Sequence, residues 1–255
     1  MERCVYEKEY KIHYYEIDYK QKLLVTSLMN YLCDVAVNHG ENLGVGISYA
    51  KSKGIGWVLY NISLDMYKYP VYDDVIKIKT YGYSFNKFYA YRKFEVYNIN
   101  GEMIAEANSL WIMIDLQKRR PTKIPKEMFE AYGIAENSDD KLEIRDIRQL
   151  EKVDNDIEFK VRYSDIDTNR HVNNVKYVAW SIEAVPVEVV LNATLMSLDI
   201  MYKKETTYGE VIKDLTQVIE EEDRFICVHK IINNEGKELN FAQTTWIKNE
   251  YCGKI

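Results

Sequence analysis

The sequence has few of the residues that interrupt or cross-link a polypeptide. Its 255 residues include only four prolines, eleven glycines and four cysteines, which leaves little room for disordered segments. The cysteines form neither a CxxC pair nor a Cys/His cluster with zinc spacing; they are Cys4, Cys33, Cys227 and Cys252. We therefore expect reduced thiols in a cytoplasmic protein that holds no metal and no cofactor.

Other absences narrow the classes of partner. No window approaches 18 uncharged apolar residues, and the N-terminus, MERCVYEKEYKIHYY, lacks the apolar run of a signal peptide, so we expect no membrane insertion. The net charge of −6, from 34 basic and 40 acidic residues, argues against a nucleic-acid binder, which needs a basic field. An acidic protein that docks on a local basic patch is not excluded.

The sequence repeats itself. The pentapeptide YYEID has a counterpart, YSDID, 149 residues later, and each leads into a helical pattern. Three more matches follow in the same order: SLDMY with SLDIMY, DDVIK with GEVIK, and NINGEMIAEANSLWI with NNEGKELNFAQTTWI. We predict two copies of one module, at 1–135 and 157–255, joined by a connector at 136–156; a short helix is expected within the charged stretch 121–156.

Both copies predict the same order of elements: a short strand, a helix and then an antiparallel run of strands. In FYAYRKFEVYN, at 88–98, Tyr, Lys and Glu alternate with mainly apolar residues, and an Asn-Gly hairpin signal follows. This order predicts an α+β fold in which a curved antiparallel sheet wraps around one long helix in each copy. The expected first strands are Lys11–Tyr15 and Ile157–Tyr163, and the expected helix caps are Thr26 or Ser27 and Asn173 or Asn174.

A polar stretch, DIDTNRHVNN, separates strand from helix in the second copy. Its alternate residues would share one face of an extended chain; they are Asp165, Asp167, Asn169, His171 and Asn173. We interpret Asn173 as part of the helix cap and Asp165, which aligns with an acid in the first copy, as a solvated or turn residue. An acid, an amide and an imidazole remain, and this set suits acid–base or carbonyl chemistry.

The first copy serves as an internal control for this set. When Asp18 is aligned with Asp167, Lys20 and Lys22 stand where the second copy has its amide and its imidazole. If folding required the amide and the imidazole, both copies would carry them. We therefore predict one functional site per chain, in the second copy, while a hydrogen-bonded loop clamp stays the alternative interpretation.

The stretch DIDTNRHVNNVKYVAW resembles the signature of the acyl-acyl carrier protein thioesterases, of the prokaryotic type without a transit peptide. Four other segments resemble the family in family order: TSLMNYLCDVAVNHGENLG, WVLYNISLDMYKYPVYDDVIKIKTY, NSLWIMIDLQKRRPTKIPKE and YKKET. The resemblance implies a double, or tandem, hotdog fold. It also implies hydrolysis of the thioester between a fatty acyl chain and the phosphopantetheine arm of acyl carrier protein, the step that ends fatty-acid synthesis.

By position, the resemblance implies catalytic roles for Asp167, Asn169, His171 and Glu205. The next family position is often a cysteine, and here it is Thr206, an alcohol with no adjacent base of evident strength. We therefore expect attack by an activated water, with Glu205 or Asp167 as the general base and His171 protonating the leaving sulfur.

Binding groups are expected in both copies. Asn169 would orient the thioester carbonyl or the attacking water, together with a backbone N–H near the helix start at Val175. The acyl chain is expected mainly in the first copy, in a pocket shaped by Trp57, Tyr60 and Met66. The acidic carrier protein is expected to dock on basic residues, namely Arg119, Arg120, Lys123, Arg170, Lys203 and Lys204.

Three alternatives stay open on the sequence alone. The same fold would also suit an acyl-CoA thioesterase, a hotdog hydratase or dehydratase that uses histidine with an acid, or a non-catalytic acyl-binding module. The patterns determine neither the preferred chain length nor the oligomeric state, and a homodimer of the fused chain stays open.

Overall fold

The computed structural model describes residues 3–136 and 140–251 of the chain. The chain divides into two compact units, Met1–Ile144 and Arg145–Ile255. Within the described ranges, no helix is long and apolar enough to span a membrane.

The first unit is an antiparallel sheet packed against one long helix. Its elements are β1 (Val5–Lys11), a 3-10 turn (Tyr14–Glu16), α1 (Val25–Asn42), α2 (Ile47–Ser52), β2 (Ile55–Met66), β3 (Val75–Phe85), β4 (Tyr89–Asn98), β5 (Met103–Asp115), β6 (Arg120–Pro121) and α3 (Lys126–Tyr132). The strand order is β1-β3-β4-β5-β2, and β6 pairs with the end of β5. Burial alternates along β4, where Ala90, Phe94 and Val96 are buried, as the sequence predicts.

The second unit repeats this plan. Its elements are β7 (Asn155–Lys160), a 3-10 turn (Tyr163–Asp165), α4 (Asn174–Glu183), α5 (Val187–Asn192), β8 (Ala193–Tyr202), β9 (Val211–Glu220), β10 (Arg224–Asn233) and β11 (Glu238–Lys248). The strand order is β8-β11-β10-β9-β7, with all neighbours antiparallel. The buried side of α4, with Val175 and Val178, packs against this sheet.

The first strand of each unit ends earlier than the sequence predicts. The expected strands Lys11–Tyr15 and Ile157–Tyr163 are wrong in extent, because β1 and β7 end before the repeated pentapeptides. The predicted module boundaries stay a prediction, and residues 137–139 of the expected connector, like Cys252, lie outside the described ranges.

An acid that folds back on the backbone explains this early ending. In the first unit, Oε2 of Glu16 accepts the N–H of His13 at 2.8 Å. In the second, Oδ2 of Asp165 accepts the N–H of Arg162, also at 2.8 Å. Each carboxylate thus closes the 3-10 turn that the pentapeptide begins, so the extended backbone stops there.

The helix caps differ between the units. The cap residue of α1 is Leu24, which makes no side-chain bond, so the cap expected at Thr26 or Ser27 is wrong. The cap expected at the start of α4 is confirmed, because Oδ1 of Asn173 accepts the N–H of Val175 at 2.9 Å.

A bulge in β2 arranges the side chains expected to shape the acyl pocket. Tyr60 is the extra residue, since Leu59 and Asn61 pair with adjacent residues of β5. Side chains alternate along a strand, so Trp57 and Met66 would otherwise face opposite sides of the sheet. The bulge brings both to the buried face, where Trp57 is half-buried and Met66 is fully buried.

Candidate active site

The residues from 166 to 172 form a tight loop between the 3-10 turn and α4. A single bridge pairs Ile166 with Val172, and the N–H of Asp167 donates to the carbonyl of His171 at 2.8 Å. Arg170 takes a left-handed conformation, with φ of 68°, to close the loop. The alternate polar residues therefore lie on a turn rather than on one face of a strand.

Asp165 has a structural role at the base of this loop. It is 1 % exposed, so it is a buried turn residue and not a solvated one. Burial alone would raise its pKa, but the hydrogen bonds from Arg162 and the charges of Arg162 and Lys176 outweigh burial, and the pKa lies below the usual value. Its ion pairs, at 3.2 Å to Arg162 and 3.5 Å to Lys176, hold the start of the turn and α4 together.

Asp167 holds the loop through its carboxylate. Its Oδ1 accepts the N–H of Asn169 at 2.7 Å and, at 3.5 Å, that of His171. The side-chain amide of Asn169 donates to the other oxygen, Oδ2, at 3.4 Å. The backbones of Asn169 and His171 are therefore positioned by Asp167.

The equivalent loop of the first unit has the same hydrogen bonds around Asp18. Oδ1 of Asp18 accepts the N–H groups of Lys20 at 2.8 Å and Lys22 at 2.9 Å, and the N–H of Asp18 donates to the carbonyl of Lys22 at 2.8 Å. Gln21 takes the left-handed conformation, with φ of 61°, that Arg170 takes in the second unit. The aspartate clamp is thus part of the shared scaffold, whereas the amide and the imidazole occur only in the second unit.

His171 contacts Glu205, one of the two acids expected as the general base. Its Nε2 lies 3.1 Å from Oε2 of Glu205, and the two side chains are 29 % and 43 % exposed. The backbone brings them together because the N–H of Val172 donates to the carbonyl of Thr206 at 3.0 Å. A half-exposed carboxylate in contact with an imidazole is accessible to both substrate and water.

The first unit lacks this acid. There the N–H of Leu23 donates to the carbonyl of Pro70 at 2.9 Å, so Pro70 occupies the position of Thr206. The residue before it is Tyr69, which therefore stands where the second unit has Glu205. The scaffold is retained without the carboxylate.

Thr206 differs from the sequence-based expectation. It is 2 % exposed, and its hydroxyl donates to Oε2 of Glu210 at 2.8 Å. The expectation that no base adjoins Thr206 is therefore wrong. Residue spacing did not identify Glu210 as this base. A signal was present, because the match of DDVIK with GEVIK aligns Glu210 with Asp74, so both copies carry an acid at this position.

The backbone donor expected for the carbonyl is already engaged. The N–H of Val175 donates to Asn173, which caps α4, so it does not point to an incoming oxygen. The other group expected to hold the carbonyl is the side-chain amide of Asn169, which is an exposed residue of the same loop as His171.

The basic residues expected to dock the carrier protein divide between the units. Those of the first unit are exposed: Arg119, Arg120 and Lys123. Those of the second are also exposed: Arg170, Lys203 and Lys204. The ammonium of Lys203 lies 2.8 Å from Glu238, and hydrogen bonds from Lys203 and Lys230 lower the pKa of Glu238 to about 2. Lys203 is thus paired within the chain, with a carboxylate that it shares with Lys230.

Another buried polar group lies in the first unit, near the end of α1. His39 is 1 % exposed, and Nδ1 accepts a hydrogen bond from the guanidinium of Arg92 at 3.2 Å. The same guanidinium donates to Thr80 at 3.0 Å and to the hydroxyl of Tyr132 at 3.3 Å. Burial and the charge of Arg92 lower the pKa of His39 to about 3, so this imidazole is neutral and structural.

Both parts of the chain match one family of known proteins. Residues 3–132 match the acyl-ACP thioesterase N-terminal domain, and residues 148–248 match the acyl-ACP thioesterase C-terminal domain. The chain belongs to the acyl-ACP thioesterase family. The α+β double hotdog fold that the resemblance implied is thereby confirmed.

Individual thioesterases are similar over nearly the whole chain. The palmitoyl-acyl carrier protein thioesterase of Gossypium hirsutum is 30 % identical over 264 residues, which cover 95 % of this chain and 63 % of that protein. A structure described as a candidate oleoyl thioesterase from Lactobacillus plantarum is 26 % identical with a TM-score of 0.91, covering 96 % of this chain and 97 % of that one. The 12:0-ACP thioesterase from Umbellularia californica is 25 % identical with a TM-score of 0.83, covering 96 % and 94 %. The chain thus spans less than two thirds of the plant protein it resembles in sequence.

Proposed function

We propose that this chain hydrolyses the thioester of a fatty acyl group carried on acyl carrier protein. The observation that carries the proposal is the contact between Nε2 of His171 and Oε2 of Glu205, at 3.1 Å, within a family of acyl-ACP thioesterases. A thioester needs little activation, because its carbonyl is electrophilic and its thiolate leaves readily. The enzyme must therefore mainly place a water, accept its proton and hold the developing oxyanion.

Glu205 is the general base of this mechanism. As its carboxylate takes a proton from water, the oxygen forms a bond to the acyl carbon, and the negative charge on the carbonyl oxygen is held by the amide of Asn169. The C–S bond then breaks, and the thiolate takes a proton from His171, which regains one from Glu205. Fatty acid and the carrier thiol leave, and no covalent acyl-enzyme is formed.

Asp167 supports this step without acting as the base. One oxygen of its carboxylate is taken up by two backbone N–H groups, as in the first unit, where Asp18 stands in a loop without the amide and the imidazole. Glu205, by contrast, has no acidic counterpart in that unit. The repeat therefore favours Glu205 of the two candidate bases.

We propose that both units contribute to substrate binding. We place the acyl chain against the buried face of β2, with Trp57 and Met66. Each unit also offers exposed basic groups to the carrier protein, including Arg119 in the first and Arg170 in the second. We also propose a cytoplasmic location, supported by the described cysteines, all of which are free thiols that suit a reducing compartment.

The test compares hydrolysis of one acyl chain carried on acyl carrier protein and on CoA. We expect a higher kcat/KM for the carrier protein, release of free thiol without enoyl product, and a loss of about 10²- to 10⁴-fold in kcat for Glu205→Gln, which keeps the hydrogen bond to His171 but cannot act as a base. Full activity of Glu205→Gln would contradict the mechanism. A higher kcat/KM for acyl-CoA would contradict the proposed substrate, and an enoyl product would contradict the proposed hydrolysis.

A further inference from the structure

Thr206 joins the two segments that carry the catalytic side chains. Its carbonyl accepts the N–H of Val172, at 3.0 Å, and so fixes the distance to the loop of His171. Its hydroxyl donates to Glu210 at 2.8 Å, in a site where Thr206 is 2 % exposed. A hydroxyl–carboxylate bond is charge-assisted and directional, and here its donor end is shielded from water while Glu210 is half-buried.

The carboxylate end of this bond is itself anchored. The carbonyl of Glu210 accepts the N–H of Val161 at 2.8 Å, and the N–H of Gly209 donates to the carbonyl of Val161 at 3.1 Å. Gly209 has φ of 82°, which lets the chain turn directly into β9. Glu210 is therefore fixed by the sheet, and the hydroxyl of Thr206 is held against it.

The first unit lacks this bond although it retains the turn. Pro70 occupies the position of Thr206 and has no hydroxyl to donate. Its counterpart of Glu210 is Asp74, whose Oδ2 instead accepts the backbone N–H of Val71 at 2.9 Å. The side-chain bond between a hydroxyl and an acid thus accompanies the catalytic glutamate, while folding of the turn is achieved without it.

We propose that Thr206 and Glu210 are positioning residues that hold Glu205 against His171. This inference rests on the proposed function, since it assigns Glu205 the role of base. It also explains what the alcohol does at the family's cysteine position. Because the Thr206 side chain is buried, its hydroxyl does not reach an incoming thioester, and its bond to Glu210 orients the neighbouring residue.

The test uses the full chain and acyl carrier protein loaded with one fatty acyl group. Thr206→Val removes the hydroxyl and keeps the shape, Thr206→Ser restores the hydroxyl, and Glu210→Ala removes the acceptor. We expect Thr206→Val and Glu210→Ala to lower kcat about 10-fold with KM unchanged, because a displaced base slows the chemical step, and we expect Thr206→Ser to recover most of the loss. Asp74→Ala, the matched change in the first unit, should leave kcat unchanged.

A readout independent of turnover separates this inference from the proposed function. The ¹⁵N NMR signal of Nε2 of His171 reports its contact with Glu205; it should move in Thr206→Val and return in Thr206→Ser. A folded Thr206→Val with wild-type kcat and an unmoved His171 signal would overturn the inference. If Thr206→Val does not fold, Glu210→Ala provides the same comparison. If the wild-type chain hydrolyses no acyl-carrier thioester, the proposed function fails, while the NMR signal still decides whether Thr206 positions Glu205.

Discussion

Alanine at Asp18 and at Asp167 should reveal how much of the catalytic loop is scaffold. Oδ1 of Asp18 accepts two backbone N–H groups at 2.8 and 2.9 Å, whereas Oδ1 of Asp167 accepts one at 2.7 Å and one at 3.5 Å, the limit of a hydrogen bond. On these half-exposed loops a bond to a carboxylate contributes about 1.5 kcal/mol, the lower end of its usual range. We therefore expect Asp18→Ala to cost about 3 kcal/mol of unfolding free energy and Asp167→Ala about 2 kcal/mol.

Activity should respond differently from stability. Only Asp167→Ala should lower kcat, because only its loop carries His171. Asparagine at either position keeps an oxygen that can accept the backbone N–H groups and loses the charge. Asp167→Asn should therefore recover most of the stability and retain more activity than Asp167→Ala, whereas Asp18→Asn should leave kcat unchanged.

The assay is urea unfolding at neutral pH, followed by tryptophan fluorescence, alongside thiol release from acyl carrier protein. Because the chain has two compact units, the unfolding transitions should be fitted separately if they do not coincide. The reasoning is refuted if Asp167→Asn is as stable as the wild type but as inactive as Asp167→Ala. That result would assign the charge of Asp167 to the chemistry instead of the scaffold.

Two further predictions concern acid stability and carrier docking. His39→Gln keeps an acceptor for Arg92 but does not titrate. In the wild type, the unfolded histidine has a pKa near 6.5 and binds a proton that the native histidine, with a pKa of about 3, does not bind. Between pH 6.5 and pH 4 the free energy of unfolding of the wild type should therefore fall by about 3 kcal/mol more than that of the variant. The native imidazole faces Arg92, Tyr6 and Tyr132, and an equal acid sensitivity of both proteins would contradict its neutrality. For docking, kcat/KM on carrier protein should fall with added salt, and salt-insensitive turnover would argue against a basic docking surface. Arg170→Ala should lower kcat/KM more than Lys203→Ala, because the ammonium of Lys203 is already engaged by Glu238.

The sequence was informative where a local interaction decides the structure. Asn173 was expected to cap a helix, and it does so through its own side chain. The alternation along β4 correctly predicted a sheet with one buried face. The repeat was also readable, because the loops around Asp18 and Asp167 keep the same left-handed position and the same carboxylate contacts.

Three features depended on contacts that spacing does not encode. The first strands ended early because Glu16 and Asp165 bend back to the backbone, while the sequence around them continues to look extended. The N–H of Val175 was unavailable because its own cap had taken it. Glu210 was missed because spacing does not show that its carboxylate folds back to the hydroxyl of Thr206; the aligned Asp74 folds back to a backbone N–H instead.

Comparison of the two loops separates what the fold needs from what the chemistry needs. The first unit forms the loop with three shared features. Asp18 accepts two backbone N–H groups, Gln21 is left-handed, and the N–H of Leu23 donates to the carbonyl of Pro70. The amide, the imidazole and the glutamate that we propose as catalytic groups are therefore additions to a loop that also forms without them. By the same argument, the loop accepts Lys20 and Lys22 at the positions where the second unit has an amide and an imidazole. A glutamate in place of Tyr69 would still lack the hydroxyl–carboxylate bond that Pro70 cannot make. The first unit therefore lacks both the side chains that we propose for catalysis and the bond that we propose to position the base.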